Sequence, residues 1–135
     1  MKCVILTHRH KQILYDHTRA HYPNESCALL IGNVQNNCYI VNNIHLTQNQ
    51  DFSTTKFSIS SDDLIKCYSF ADRKNLEVIG IFHSHPHSPS YPSKTDLKFM
   101  ELNPISWIIF SHPQNNFKAF LLESVLKEIP IQESY

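Results

Sequence analysis

Glycine is almost missing from this chain: two residues in 135, Gly32 and Gly80, so each marks a position that needs a reason. Net charge is missing too, because twelve basic residues balance twelve acidic ones. Such a surface lacks the electrostatic footprint that nucleic-acid backbones and anionic membranes demand, and neither is expected as a partner. Long apolar runs are absent. The N-terminal Cys3-Val4-Ile5-Leu6 is far shorter than a signal-peptide core, and no later stretch approaches the ~20 apolar residues of a membrane span, so a cytoplasmic protein is expected. The four cysteines, Cys3, Cys27, Cys38 and Cys67, form no C-x-x-C pair. That removes zinc-ribbon and thioredoxin-like readings and leaves buried free thiols as the expectation. There is no internal repeat, linker or low-complexity tract, and 41% hydrophobic residues suffice for one core, so residues 1–135 are expected to form one domain.

What is present reads as strands and helices interspersed around one mixed sheet. A short strand over 2–6 precedes a helix over 11–22, which Pro23 stops because proline lacks the donor a helix needs. Ile13, Leu14, His17 and Ala20 would face the core. Cys27 to Gly32 has buried-strand length, Gly32-Asn33 opens a polar turn, and Tyr39 to Ile44 completes a hairpin. A polar stretch, 47–56, leads to a short strand, 57–60, and a helix over 62–74. Glu77 to His85 is rich in β-formers and ends at Pro86. A Pro/Ser loop, a helix over 94–102, strands over 107–110 and 117–122, and an irregular tail containing Pro130 complete the chain.

The run from His83 to Asp96 concentrates metal-ligating residue types at the end of a strand. Residues i and i+2 of a strand share a face, so His83 and His85 present two imidazoles side by side while Ser84 points away. Asp96, in the first turn of the next helix, can return a carboxylate to them. Two histidines, one aspartate and an open fourth position make a catalytic rather than a structural zinc pattern. Each residue also has an ordinary reading: Ser93-x-x-Asp96 is a plausible helix cap, and the same spacing recurs at Ser60-x-x-Asp63 with no histidines nearby. The joint spacing H-x-H-x7-S-x2-D is much rarer, arising by chance in roughly two or three such sequences per thousand.

These residues resemble the JAMM, or MPN-plus, metallopeptidases, whose signature is that spacing with a glutamate far upstream. The resemblance extends through Gly80-Ile81-Phe82-His83-Ser84-His85-Pro86 and Pro92-Ser93-Lys94-Thr95-Asp96-Leu97, and Pro23-Asn24-Glu25-Ser26-Cys27-Ala28-Leu29-Leu30-Ile31-Gly32 is similar to the family's glutamate segment. Ala28 stands where glycine is usual and Ile81 where a bulkier aromatic is common. The resemblance implies an α-β-α sandwich of the cytidine-deaminase-like type around a mixed β-sheet. It also implies one zinc per chain on His83, His85 and Asp96, with Glu25 as general base and Ser93 as oxyanion donor. Gly32 would then permit the turn after the glutamate strand and Gly80 a close backbone approach within the histidine strand.

Family members hydrolyse isopeptide or C-terminal amide bonds that follow the Gly-Gly tail of ubiquitin-like or sulfur-carrier proteins, and such a modifier is the expected substrate partner. Two other classes stay open: a non-catalytic MPN-type scaffold, and a nucleic-acid or nucleobase-acting zinc hydrolase. The deaminase elements H-x-E and P-C-x-x-C are absent. His87 could extend the H-x-H run, but Pro86 breaks the strand before it. His8, His10, His17, His21, His45 and His112 read as surface or core-edge residues. The segment 47–56 reads as a loop in the free protein and, by resemblance, as the place where a modifier's tail docks along residues 50–56.

Overall fold

The computed structural model describes residues 2–135. β1 (Cys3–Thr7) runs straight into α1 (His8–His21). The helix begins three residues before the expected start because Thr7 and His10 cap it reciprocally: the Thr7 hydroxyl accepts from the His10 amide, and the His10 ring accepts from the Thr7 amide. β2 (Cys27–Gln35) and β3 (Cys38–Thr47) form the hairpin. Its turn lies at Asn36 and Asn37, both with positive φ (52° and 68°), as a two-residue hairpin turn requires.

Gly32 therefore makes no turn. It sits inside β2 at a bulge, where a Cβ would lie 1.8 Å from the Ile40 carbonyl oxygen. Gly80 meets the expectation of close approach, since a Cβ there would lie 2.8 Å from Ser106 Oγ. α2 (Ser61–Arg73), β4 (Glu77–His85), α3 (Lys94–Leu102), β5 (Ser106–Ser111) and β6 (Asn116–Leu122) follow as the sequence suggests. Residues 57–60 are not a strand: they carry no ladder pairing.

The expected irregular tail is instead two strands, β7 (Leu126–Ile129) and β8 (Ile131–Ser134). Only Pro130 separates them, yet they close opposite ends of one mixed sheet ordered β7-β6-β5-β4-β2-β3-β1-β8. The sheet must curl until its ends nearly meet at Pro130, whose carbonyl accepts from Val4 N–H of β1. β1 lies parallel to β3 with Cys3 opposite Cys38, and these two cysteines form a disulfide, so only Cys27 and Cys67 are free and buried thiols. The pairing that sets this bridge is non-local and leaves no mark in cysteine spacing.

Both sheet faces are covered, which gives the α-β-α layering. Leu14 of α1 joins Val4, Leu30, Phe82 and Phe110 on one face; Cys67 and Ala71 of α2 and Met100 of α3 join Leu29, Ile81 and Trp107 on the other. Burying such side chains contributes about 1.5–3 kcal/mol each. On α1 the core contacts shift from expectation: Leu14 and Thr18 are buried, Ile13 and His17 are half-buried, and Ala20 is exposed. No helix among the described residues is long and apolar enough to cross a membrane.

Candidate metal centre

β4 and β2 are antiparallel, with Cys27 opposite His83. Continuing that register two residues places Glu25 opposite His85, on the same face of the sheet. The extension is bonded: Ser84 N–H donates to the Ser26 carbonyl (3.0 Å), and Ser26 N–H donates to Ser84 Oγ (2.9 Å). Ser84 points away from the imidazoles and stitches the glutamate segment to the histidine strand.

His83, His85 and Asp96 come together as the spacing suggests. Both histidine Nε2 atoms lie 3.0 Å from the same Asp96 Oδ2 and 3.1 Å from each other. All three side chains are buried. A tetrahedral ion with bonds of about 2.0–2.1 Å would want its ligand atoms about 3.3 Å apart, so this triangle is close to one face of a zinc-sized site. The proton inventory points the same way. His85 Nδ1 lies 2.7 Å from the Pro89 carbonyl, which can only accept, so Nδ1 carries a proton and Nε2 is the nitrogen turned toward the carboxylate. Ligand-type atoms that converge this closely need a proton or a cation between them. These three residues could hold a metal ion.

The two imidazoles are held differently. His83 Nδ1 is buried without a partner, and its ring is fixed by stacking on Phe57 (4.7 Å, 26°) with Trp107 edge-on at 5.9 Å. Burial pushes the His83 pKa down. Burial opposes charge on His85 as well, but the Asp96 and Pro89 oxygens outweigh it and its pKa rises. Asp96 is also buried, yet the two imidazoles and the Ser93 amide hold its carboxyl well below the usual carboxylate range.

Ser93 is the N-cap of α3. Its Oγ accepts from the Asp96 amide (3.0 Å), and its own amide donates to Asp96 Oδ2 (2.9 Å). The capping reading of this pair is therefore real, and it leaves the Ser93 hydroxyl proton free to donate. Glu25 is 3% exposed, and its Oε1 has no hydrogen-bond partner. Burial pushes its carboxyl up to about 8; His85 pulls it down and Asp96 pushes it further up. His87 is exposed and lies against Tyr22 instead, outside the trio.

A family model described as prokaryotic homologues of the JAB domain matches residues 7–123. The chain belongs to this family. A solution structure from Desulfitobacterium hafniense shares the JAB-type fold at a TM-score of 0.86 and 29% identity, covering 97% of this chain and 92% of that one. Among curated relatives, a desampylase of Pyrococcus furiosus is 33% identical over 98 residues, 73% of this chain and 66% of the relative. A CysO-cysteine peptidase of Mycobacterium tuberculosis is 29% identical over 82 residues, 61% of this chain and 55% of the relative. The chain thus spans about two thirds of the length of the first of these relatives and about half of the second.

Three residues around the JAB-domain trio escape a sequence reading. Pro89 fixes the His85 tautomer through its carbonyl, a backbone role that leaves no side-chain signal. Phe57 backs the His83 ring, and in sequence it is only the first apolar residue after a polar stretch. Asn49, in that stretch, is 2% exposed and donates to the Glu25 carbonyl.

Proposed function

We propose that this protein is a zinc-dependent metallopeptidase that hydrolyses the isopeptide or C-terminal amide bond following the Gly-Gly tail of a ubiquitin-like or sulfur-carrier protein. The observation that carries this reading is the convergence of two imidazole nitrogens and a carboxylate oxygen within 3.1 Å, on the sheet face to which the strand register also brings a buried glutamate whose Oε1 has no partner. Family membership supports the chemistry, and relatives named desampylase, CysO-cysteine peptidase and TtuB-protein conjugate cleaving protease support the substrate class.

In this reading His83, His85 and Asp96 hold the zinc, which supplies a water acidified to a pKa of about 7 and polarises the scissile carbonyl. Glu25 takes a proton from the attacking water and returns it to the leaving amine. A carboxyl raised by burial suits a group that must carry a proton between two atoms near neutral pH. Ser93 donates its free hydroxyl proton to the oxyanion that develops on the carbonyl oxygen. A scaffold would have no use for a buried carboxyl without a partner, which costs stability unless something else uses it.

The test is elemental analysis of the purified protein together with cleavage of a ubiquitin-like protein joined through its Gly-Gly terminus to a fluorescent amine. About one zinc per chain and release of the amine are expected. A protein that purifies without zinc and takes none up would leave the scaffold reading in its place.

A further inference from the structure

We infer that Asn49 is the positioning residue that aims Glu25 at the His83/His85/Asp96 trio, by clamping the glutamate's backbone to the irregular segment that follows β3. The inference rests on the reading of Glu25 as general base and extends it to a residue that touches neither metal nor substrate.

Asn49 is a buried polar side chain with every hydrogen-bonding valence used. Its Nδ2 donates to the carbonyls of Glu25 and Lys56, both at 3.0 Å, and its Oδ1 accepts from the amides of Asp51 (3.0 Å) and Ser58 (3.2 Å). An amide has two donors and two acceptor lone pairs, and only this orientation meets two carbonyls with nitrogen and two N–H groups with oxygen. Aspartate would turn a carboxylate oxygen on two carbonyls; glutamine would need room for a further methylene in a filled site.

The clamp matters because no hydrogen bond among the described residues aims the glutamate carboxyl. Its Oε1 has no partner, so the side chain takes its direction from the backbone that carries it. That backbone lies just outside β2 and is held on both sides by residues 49–53: the Glu25 amide donates to the Ser53 carbonyl (2.8 Å), and the Glu25 carbonyl accepts from Asn49. The other arm of Asn49 reaches the two peptide groups flanking Phe57, whose ring stacks on His83. One side-chain amide therefore sets both the approach of the base and the aromatic backing of a candidate ligand. A misplacement of about 1 Å in such a group can cost about 10²-fold in rate.

The experiment compares Asn49→Asp, Asn49→Ala and Glu25→Gln with the wild type in three measurements. These are zinc content, steady-state cleavage of a ubiquitin-like protein carrying Gly-Gly-aminocoumarin, and amide hydrogen exchange read residue by residue. Asn49→Asp keeps both acceptor bonds and loses both donor bonds, so it frees Glu25 while leaving the Asp51 and Ser58 amides protected. The expected result is wild-type zinc, KM within about twofold, kcat lower by about 10- to 100-fold, and exchange of the Glu25 amide faster by more than about tenfold with β4 unchanged. Asn49→Ala should lower kcat, raise KM and expose Asp51 and Ser58 as well. Should Asn49→Asp not fold, Asn49→Ser, small enough for a water to replace the lost amide, is judged by the same criteria.

Unchanged Glu25 exchange in these variants, or wild-type kcat in Asn49→Asp while Glu25→Gln is slow, overturns the inference. So does a uniform loss of zinc, stability and rate together. If the wild type does not cleave the probe, or Glu25→Gln matches it, the proposed function fails, and the exchange measurement still decides whether Asn49 controls Glu25.

Discussion

His83, His85 and Asp96 arrive at the centre on regular structure, a strand end and a helix start within fourteen residues, whereas Glu25 arrives on the irregular approach to β2. The first group is fixed by alternation along β4 and by the capping box of α3, both local devices. The second is fixed by an irregular segment beginning 24 residues further along the chain, through Asn49 and Ser53. The same contrast runs through the charges. Asp96 is held ionised by partners, while Glu25 is pushed toward its neutral form by burial. A metal site tolerates rigidity because its ligands do not change partners, whereas a base must gain and lose a proton and so cannot be surrounded by fixed donors.

The largest effect should come from breaking the local half. His83→Ala or Asp96→Ala removes one of three proposed protein ligands, so both should lose most of the zinc and reduce cleavage to background. Elemental analysis checks this, and full zinc occupancy in His83→Ala would move the site elsewhere. Breaking the non-local half should look different: Glu25→Gln is expected to keep its zinc and lose about 10² to 10⁴ in kcat, the usual worth of a general base. Ser93 belongs to both halves, as cap and as donor. Ser93→Ala should lose about 10² to 10³ in kcat together with about 1 kcal/mol of stability, read by kinetics and denaturant titration; a stability loss without a rate loss would leave it as a cap alone.

This division explains what could be read from sequence. The H-x-H-x7-S-x2-D run carries its own geometry, because strand alternation and a helix start are set within a few residues of the chain. Glu25 gives no comparable signal: five other glutamates look the same in isolation, and only the resemblance to a family singled it out. Asn49 was harder still, since a buried asparagine and an exposed one are the same letter in a polar run. The fold divides in the same way. The helices and the β2–β3 hairpin follow from periodicity, while the Cys3–Cys38 disulfide and the β7–β8 closure depend on which strands meet across the chain. Residues 57–60 alternate like a strand but find no partner to make one.

The charge contrast can be sharpened by titrating the metal-free protein. The Glu25 pKa is raised from 4.5 to about 8, so between those values the unfolded chain gives up its proton while the folded chain keeps it. Stability from this group is therefore greatest below about pH 4.5, falls as pH rises toward 8, and is level above. Glu25→Gln removes that loss. It should be more stable than wild type by a few kcal/mol, as an order of magnitude, at pH 8–9 and similar to it near pH 4, in the metal-free form. Parallel stability curves for the two proteins would show that Glu25 is solvated before metal binds.

The smallest effect concerns the segment that clamps Glu25, which we expect also to receive the modifier's tail by strand addition along residues 50–56. Its donors are partly in use. Gln50 N–H goes to the Ser58 carbonyl, Asp51 N–H to Asn49, Phe52 N–H to the Asn49 carbonyl and Thr55 N–H to Ser53 Oγ. The Thr54 and Lys56 amides have no partner among the described residues, and both side chains are exposed. Residues 54 and 55 form a bend in the free protein, and once that bend is straightened the free amides at i and i+2 point to the same side, the pattern by which an added strand is held. Proline at Thr54 removes one of those donors and costs no bond in the free protein, whereas proline at Thr55 would also break the Ser53 contact. Thr54→Pro should therefore raise KM by about three- to tenfold, the worth of roughly one net hydrogen bond, with kcat and zinc content unchanged. A fall in kcat instead would mean the substitution had reached Glu25 through Ser53. Unchanged kinetics in both proline variants would leave residues 50–56 as a clamp for the base that no substrate strand touches.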